Sequence, residues 1–204
     1  MSELQQRAAE LIEAGRLLYA RGMVPASSGN LSARLADGRI AITVSGRHKG
    51  KLCEADIMSI DAAGTSLDGR RPSAEALLHV QVYRRCADVG VVLHPHSVNA
   101  TVLSRLCARE SVGLQDYELL KAFPGVSTHA GRVEVPVFAN DQDISRLASE
   151  VDAWMDTHGP SFGYLIEGHG FYTWGKDLES ALRHVEAFEF LFECELRMRG
   201  VHTR

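Results

Sequence analysis

The amino-acid sequence predicts a single α/β domain, and three observations carry that expectation. Stretches with helical spacing of apolar residues alternate along the chain with short runs of strand type. The chain has 204 residues, 45% of them hydrophobic, which suits one domain with a sizeable core better than two very small ones. No internal repeat, low-complexity stretch or linker divides residues 1–204, so they read as one unit.

The elements follow in order. Leu4, Ala8, Leu11, Ile12, Gly15, Leu18 and Tyr19 recur at helical spacing, which predicts a helix over residues 3–21 with Gly22 as its stop. Residues 31–35 and 39–44 alternate around Asp37-Gly38, a tight-turn signal, and predict a hairpin. Residues 57–60 form a further strand. Pro72-Ser73-Ala74-Glu75 opens a helix to residue 85, with Ser73 as its cap and Glu75 in its first turn. The apolar run 89–93 is too short for a helix and predicts a buried central strand. Ser97 caps a helix over 98–107, and 116–123 predicts a short helix ended by Gly125. Val133, Val135 and Val137 mark a strand. Asn140 and Asp143 suggest a capping box for a helix to residue 157. Strands over 162–167 and 171–174 precede a long C-terminal helix from Leu178 through Leu196.

Composition excludes several classes. A net charge of -4 and the lack of a Lys/Arg stripe argue against a nucleic-acid partner. No apolar run is long enough to span a membrane. Residues 1–6 lack the basic start and apolar stretch of a signal peptide. The four cysteines are scattered without a C-x-x-C pair, which predicts a reducing, cytoplasmic setting and no thiolate metal site.

Histidine is the more informative residue. His94 and His96 end the apolar run 89–93, two residues apart, so both imidazoles lie on one side of a strand terminus. Pro95 between them suits a strand end. A third ligand is needed, and His169 in Glu167-Gly168-His169-Gly170 is the leading candidate, because flanking glycines let backbone approach and leave the ring unshielded. His129 is a weaker rival. His48, His79, His158, His184 and His202 read as helix-face, loop or terminal residues. Three neutral imidazoles leave an open position on a zinc ion, as a catalytic site requires. Glu75 and Glu118 compete as proton carriers. Ser27, Ser28, Gly29, Asn30, Ser45, Gly46 and Ser73 all fall at turns or helix starts. With Lys49 nearby they form either an anion cradle or ordinary turn chemistry.

Five stretches together resemble the class II aldolase family. They are Ser28-Gly29-Asn30-Leu31-Ser32, Ile42-Thr43-Val44-Ser45-Gly46, Pro72-Ser73-Ala74-Glu75, His94-Pro95-His96-Ser97 and Glu167-Gly168-His169-Gly170. The resemblance implies a central, mainly antiparallel sheet flanked by helices. It also implies one zinc per subunit on His94, His96 and His169, and a homotetramer with active sites at subunit interfaces. Three further stretches are similar to a dehydratase branch: residues 137–144, 117–121 and 169–175. That branch carries its catalytic glutamate where Glu118 stands. Its reaction converts 5-methylthioribulose 1-phosphate to 5-methylthio-2,3-dioxopentyl phosphate and water, in methionine salvage. Aromatic residues Phe171, Tyr172 or Trp174 would then wall the thioether tail or belong to the core. The aldolases use a Ser-Ser-Glu stretch, here Ser73-Ala74-Glu75, so Glu75 is the secondary candidate. The alternatives are an aldolase or epimerase acting on another sugar phosphate, and a non-catalytic module of the adducin type.

Overall fold

The computed structural model describes residues 1–108, 110–159 and 161–200; His202 lies outside the described residues. Helix α1 (Glu3–Ala20) starts at a capping box in which Ser2 Oγ accepts from Gln5 N–H and the Gln5 side chain accepts from Ser2 N–H. It ends as expected at Gly22, whose φ of +72° lets Gly22 N–H and Met23 N–H close on the carbonyls of Tyr19 and Leu18. The Asp-Gly hairpin also forms, between β1 (Asn30–Arg34) and β2 (Ile40–Thr43), and β3 (Ile57–Ile60) pairs with β2.

Helix α2 (Ala76–Arg85) precedes β4 (Val91–His94), the central strand, which lies antiparallel to β1 on one side and to β8 (Gly170–Gly175) on the other. Helix α3 (Val98–Leu106) is capped by Ser97, whose hydroxyl accepts from Ala100 N–H. Beyond it come β5 (Ser111–Gln115), β6 (Arg132–Phe138), helix α4 (Ile144–His158), β7 (Gly163–Ile166) and the long helix α5 (Leu178–Met198). The strands form one sheet in the order β3-β2-β1-β4-β8-β7-β6-β5, antiparallel except where β6 meets β7.

Alternation along the strands loads both faces. Leu31, Val91, Leu93 and Phe171 pack with α1, α3 and α5. Ile42, Val92, Tyr172 and Trp174 pack with α2 and α4 on the other side. The predicted mainly antiparallel sheet flanked by helices is the architecture observed.

Four local expectations need correction. Helix α2 begins at Ala76, and Ser73 does not cap it: Pro72 bridges Val44 beside the end of β2, and residues 74–75 turn before the helix starts. Glu75 takes the N-cap place but its carboxylate makes no cap bond, because it turns to the histidines described below. The stretch 116–123 forms only a 3-10 turn, Glu118–Ala122, before Pro124-Gly125. Asp143 alone caps α4, through Arg146 N–H, while Asn140 bonds elsewhere. Strand β5 escaped the sequence pattern because it offers only two buried apolar positions, Val112 and Leu114, too few to mark an alternation.

Candidate active site

The site forms where β4 ends against the start of β8. Strand β4 stops at His94, and the chain bends at Pro95, so His96 lies beyond the strand. The two rings nevertheless converge, with centroids 4.5 Å apart. Two backbone bonds hold the bend: His96 N–H donates to Met23 C=O, and Phe171 N–H donates to Pro95 C=O. The approach is so close that a Cβ on Gly170 would lie 2.3 Å from Pro95 O, so only glycine fits there. Gly168 supplies the turn with a φ of +63°, and Thr101 and Ser104 of α3 anchor it through His169 C=O and Gly168 N–H. His169 is thereby set 4.4 Å from His96 and 5.1 Å from His94, centroid to centroid.

The tautomers follow from the partners. His94 Nδ1 lies 2.8 Å from Phe171 C=O, an acceptor, so Nδ1 carries the hydrogen and Nε2 is bare. His169 Nδ1 donates in the same way to Asn140 Oδ1, at 3.2 Å. His94 is fully buried and stacked on Tyr172 at 4.0 Å. Glu75 closes the group, with Oε2 3.3 Å from His94 Nε2 and Oε1 3.3 Å from His169 Nε2.

The electrostatics match these positions. Burial alone would raise the Glu75 pKa, but positive charge at the Nε2 edges of His94 and His169, whether a proton or a cation, together with the Asn30 hydrogen bond, outweighs it and holds the carboxyl well below the usual range. Burial first, then the charges of His94 and His169, push His96 down to about 2. Burial also lowers His169.

These groups suit a divalent cation. One ligand atom from each of Glu75, His94, His96 and His169 lies within 4.8 Å of every other. Around a four-coordinate zinc with bonds of about 2.0–2.1 Å, neighbouring donors sit roughly 3.4 Å apart. His96 Nε2 stands 2.9 Å from the bare His94 Nε2, a pairing that needs a proton or a cation between the two atoms. Among the described residues His129 is not part of this group.

A cavity of about 350 Å³ opens beside the histidines. All eight residues expected of the anion cradle line it: Ser27, Ser28, Gly29, Asn30, Ser45, Gly46, Lys49 and Ser73, together with Glu75, His96 and His169. Gly29 is obligatory, since its φ is +74° and a Cβ would meet His94 O at 2.6 Å. Ala26, just before the serines, is held at a φ of +54°, a left-handed conformation that costs a residue with a Cβ about 1 kcal/mol or more. Ser28 Oγ is buried and has no hydrogen-bond partner among the described residues. Lys49 is buried and donates to Ser27 C=O at 2.8 Å and Arg47 C=O at 2.7 Å, tying two cradle loops together. Burial lowers its pKa to about 8, against the pull of Glu75.

Glu118 stands apart from this assembly within one chain. Its side chain is 74% exposed and pairs with Lys121 at 2.6 Å. Phe171, Tyr172 and Trp174 are core residues rather than cavity walls. Two residues that were not among the expected site residues bear on the site. Asn140 orients His169, and His79 lies behind Asn30. The signal for His79 was its place four residues after Glu75, on the same side of a helix.

Residues 9–196 match the family described as Class II Aldolase and Adducin N-terminal domain, and the chain belongs to that family. Among curated proteins, a methylthioribulose-1-phosphate dehydratase of Methylococcus capsulatus is 62% identical over 200 residues, covering 98% of each chain. One of Azotobacter vinelandii is 58% identical, over 96% of this chain and 95% of its own. Among solved structures, an L-fuculose 1-phosphate aldolase superposes with a TM-score of 0.80 at 26% identity, covering all of this chain and 90% of the other. Another, from Thermus thermophilus, gives 0.74 at 25% identity over 97% of each chain.

Proposed function

We propose that this chain is a hydro-lyase that converts 5-methylthioribulose 1-phosphate to 5-methylthio-2,3-dioxopentyl phosphate and water. The observation that carries the reading is the three-histidine, one-carboxylate group beside a phosphate-sized cradle of hydroxyls and amides. The full-length dehydratase relatives narrow the chemistry to this reaction.

His94, His96 and His169 would hold one Zn²⁺ per subunit, with Glu75 as a fourth donor. When bound, the ion supplies Lewis-acid polarisation of the substrate carbonyl. The cradle orients the phosphate through the Ser28 and Ser73 hydroxyls, the Asn30 amide and backbone N–H groups beside Gly29 and Gly46, with Lys49 adding positive charge. The C3 proton leaves to a base, and the C4–O bond breaks as that hydroxyl gains a proton and departs as water. The enol that remains ketonises. Glu118 moves a proton to the departing hydroxyl. Glu75, held ionised, would serve as the secondary proton carrier once substrate oxygens replace its carboxylate as donor.

Glu118 reaches this chemistry from a neighbouring chain. Its exposure supports that arrangement, as does the resemblance to tetrameric relatives. The setting is cytoplasmic and the pathway is methionine salvage. Among the described residues all four cysteines are free, and no helix is long and apolar enough to cross a membrane. The test is a pair of assays on one preparation: water loss from methylthioribulose 1-phosphate, and aldol cleavage of fuculose 1-phosphate. Turnover in the first and none in the second is expected, and the reverse would replace the dehydratase by an aldolase.

A further inference from the structure

Beneath Glu75, strand β1 and helix α2 bury a line of polar side chains that leads away from the cavity into the core. It runs from Glu75 to Asn30, His79, Ser32 and Tyr83. Asn30, Ser32, His79 and Tyr83 are all buried, and His79 and Ser32 completely. The sequence builds the line from two periodicities. Asn30 and Ser32 lie two apart on β1 and share one side of the sheet, while Glu75, His79 and Tyr83 recur every four residues and share one side of α2.

Each donor is fixed by elimination. An ionised carboxylate only accepts, so Asn30 presents Nδ2 to Glu75 Oε2, at 2.7 Å, and turns Oδ1 the other way. That oxygen also only accepts, so His79 Nε2 carries the hydrogen and donates to it. His79 Nδ1 is then bare and accepts from Ser32 Oγ at 2.6 Å. Having donated, Ser32 Oγ accepts from Tyr83 OH at 2.9 Å. An apolar side chain at position 79 would fill the same core space without the desolvation penalty of a buried imidazole. Without the His79 N–H, however, Asn30 Oδ1 loses its donor, and the amide is freer to turn over and set its oxygen against the Glu75 carboxylate.

We propose that His79 is a positioning residue: through Asn30 it fixes where the Glu75 carboxylate sits between His94 and His169, with Ser32 and Tyr83 holding its ring in the required tautomer. The proposal rests on the reading of Glu75 and the three histidines as a metal centre. Its readout is zinc affinity of the metal-free protein, measured by competition with a chromophoric chelator, with circular dichroism and a thermal melt to verify folding. His79→Phe should weaken zinc by about tenfold, the low end for removal of an outer partner of a metal ligand. His79→Gln, which returns an N–H to Asn30, should recover most of that loss. In a Glu75→Gln background, His79→Phe should change the affinity no further, because its path to the metal is already cut. Equal affinity in wild type and folded His79→Phe overturns the proposal, and so does a loss that persists undiminished beside Glu75→Gln. Should His79→Phe fail to fold, Ser32→Ala reads the same line one step further back: a severalfold loss supports it and an unchanged affinity overturns it. A wild type that takes up no zinc removes the metal centre itself, and the positioning role falls with it.

Discussion

Glu75 and Glu118 both stand at the start of a helical turn, yet their surroundings are opposite. Glu75 is 14% exposed, bonded to Asn30 and set between two imidazoles. Glu118 is 74% exposed and paired with a surface lysine three residues away. The contrast shows how one fold assigns two carboxylates to different tasks. Burial and a fixed partner make Glu75 part of a preorganised centre, complete within one chain. Glu118 meets no group of that centre within one chain, so the role proposed for it requires a second chain.

The sharpest break of this contrast is at the metal end. His96→Ala should abolish dehydration, by a factor of at least about 10³, and leave the circular dichroism and the melting temperature nearly unchanged. The reason is that the half-buried ring sits at a cavity edge against His94 and His169, outside the apolar core clusters. A variant that unfolds under native conditions would make the centre structural rather than catalytic.

Next in size is the pair of carboxylates. Glu118→Gln should lower kcat by about 10²–10⁴, the usual worth of a positioned acid or base, without changing zinc content. Mixing Glu118→Gln with His96→Ala, after dissociation and reassembly, should restore part of the turnover, because some sites would then pair an intact centre with an intact Glu118. If the mixture stays as dead as its components, the two carboxylates do not meet across chains.

A smaller effect concerns Lys49. Its pKa of about 8 lies below the ordinary 10.5, so it is charged below pH 8 and neutral above it. The KM for the phosphate ester should therefore rise as pH passes 8, and Lys49→Arg, which stays charged, should remove that inflection. Stability follows the opposite sign. The unfolded chain binds the proton more tightly than the folded one between about pH 8 and 10.5, so this group's burial weighs less as pH rises through that window. The smallest effect lies outside the site: Ser97→Ala should cost about 1 kcal/mol in denaturant unfolding, through loss of the α3 cap.

What the sequence disclosed follows the range of each signal. The Gly22 stop, the Asp37-Gly38 hairpin and the Ser97 cap depend on neighbours a few residues away, and each formed where expected. The clustering of the three histidines was legible because His94-Pro95-His96 and Gly168-His169-Gly170 carry their own chemistry, although the bend that brings them together depends on Gly170 meeting Pro95 across strands. Asn140, read as a helix cap, turned out to orient His169, and His79, read as an ordinary helix residue, lies in the line behind Asn30. Both roles arise from contacts 29 and 49 residues apart in sequence, which local pattern does not encode. Strand β5 escapes local pattern for a different reason, since its alternation holds only two apolar residues, Val112 and Leu114.

The central claim is that the three histidines and Glu75 hold the ion on which dehydration depends. The most direct measurement is elemental analysis of the purified protein, followed by the water-loss assay before and after stripping the metal with a chelator and restoring zinc. The account predicts one zinc per chain, turnover lost on stripping and regained on reconstitution. Full turnover in verified metal-free protein would contradict it.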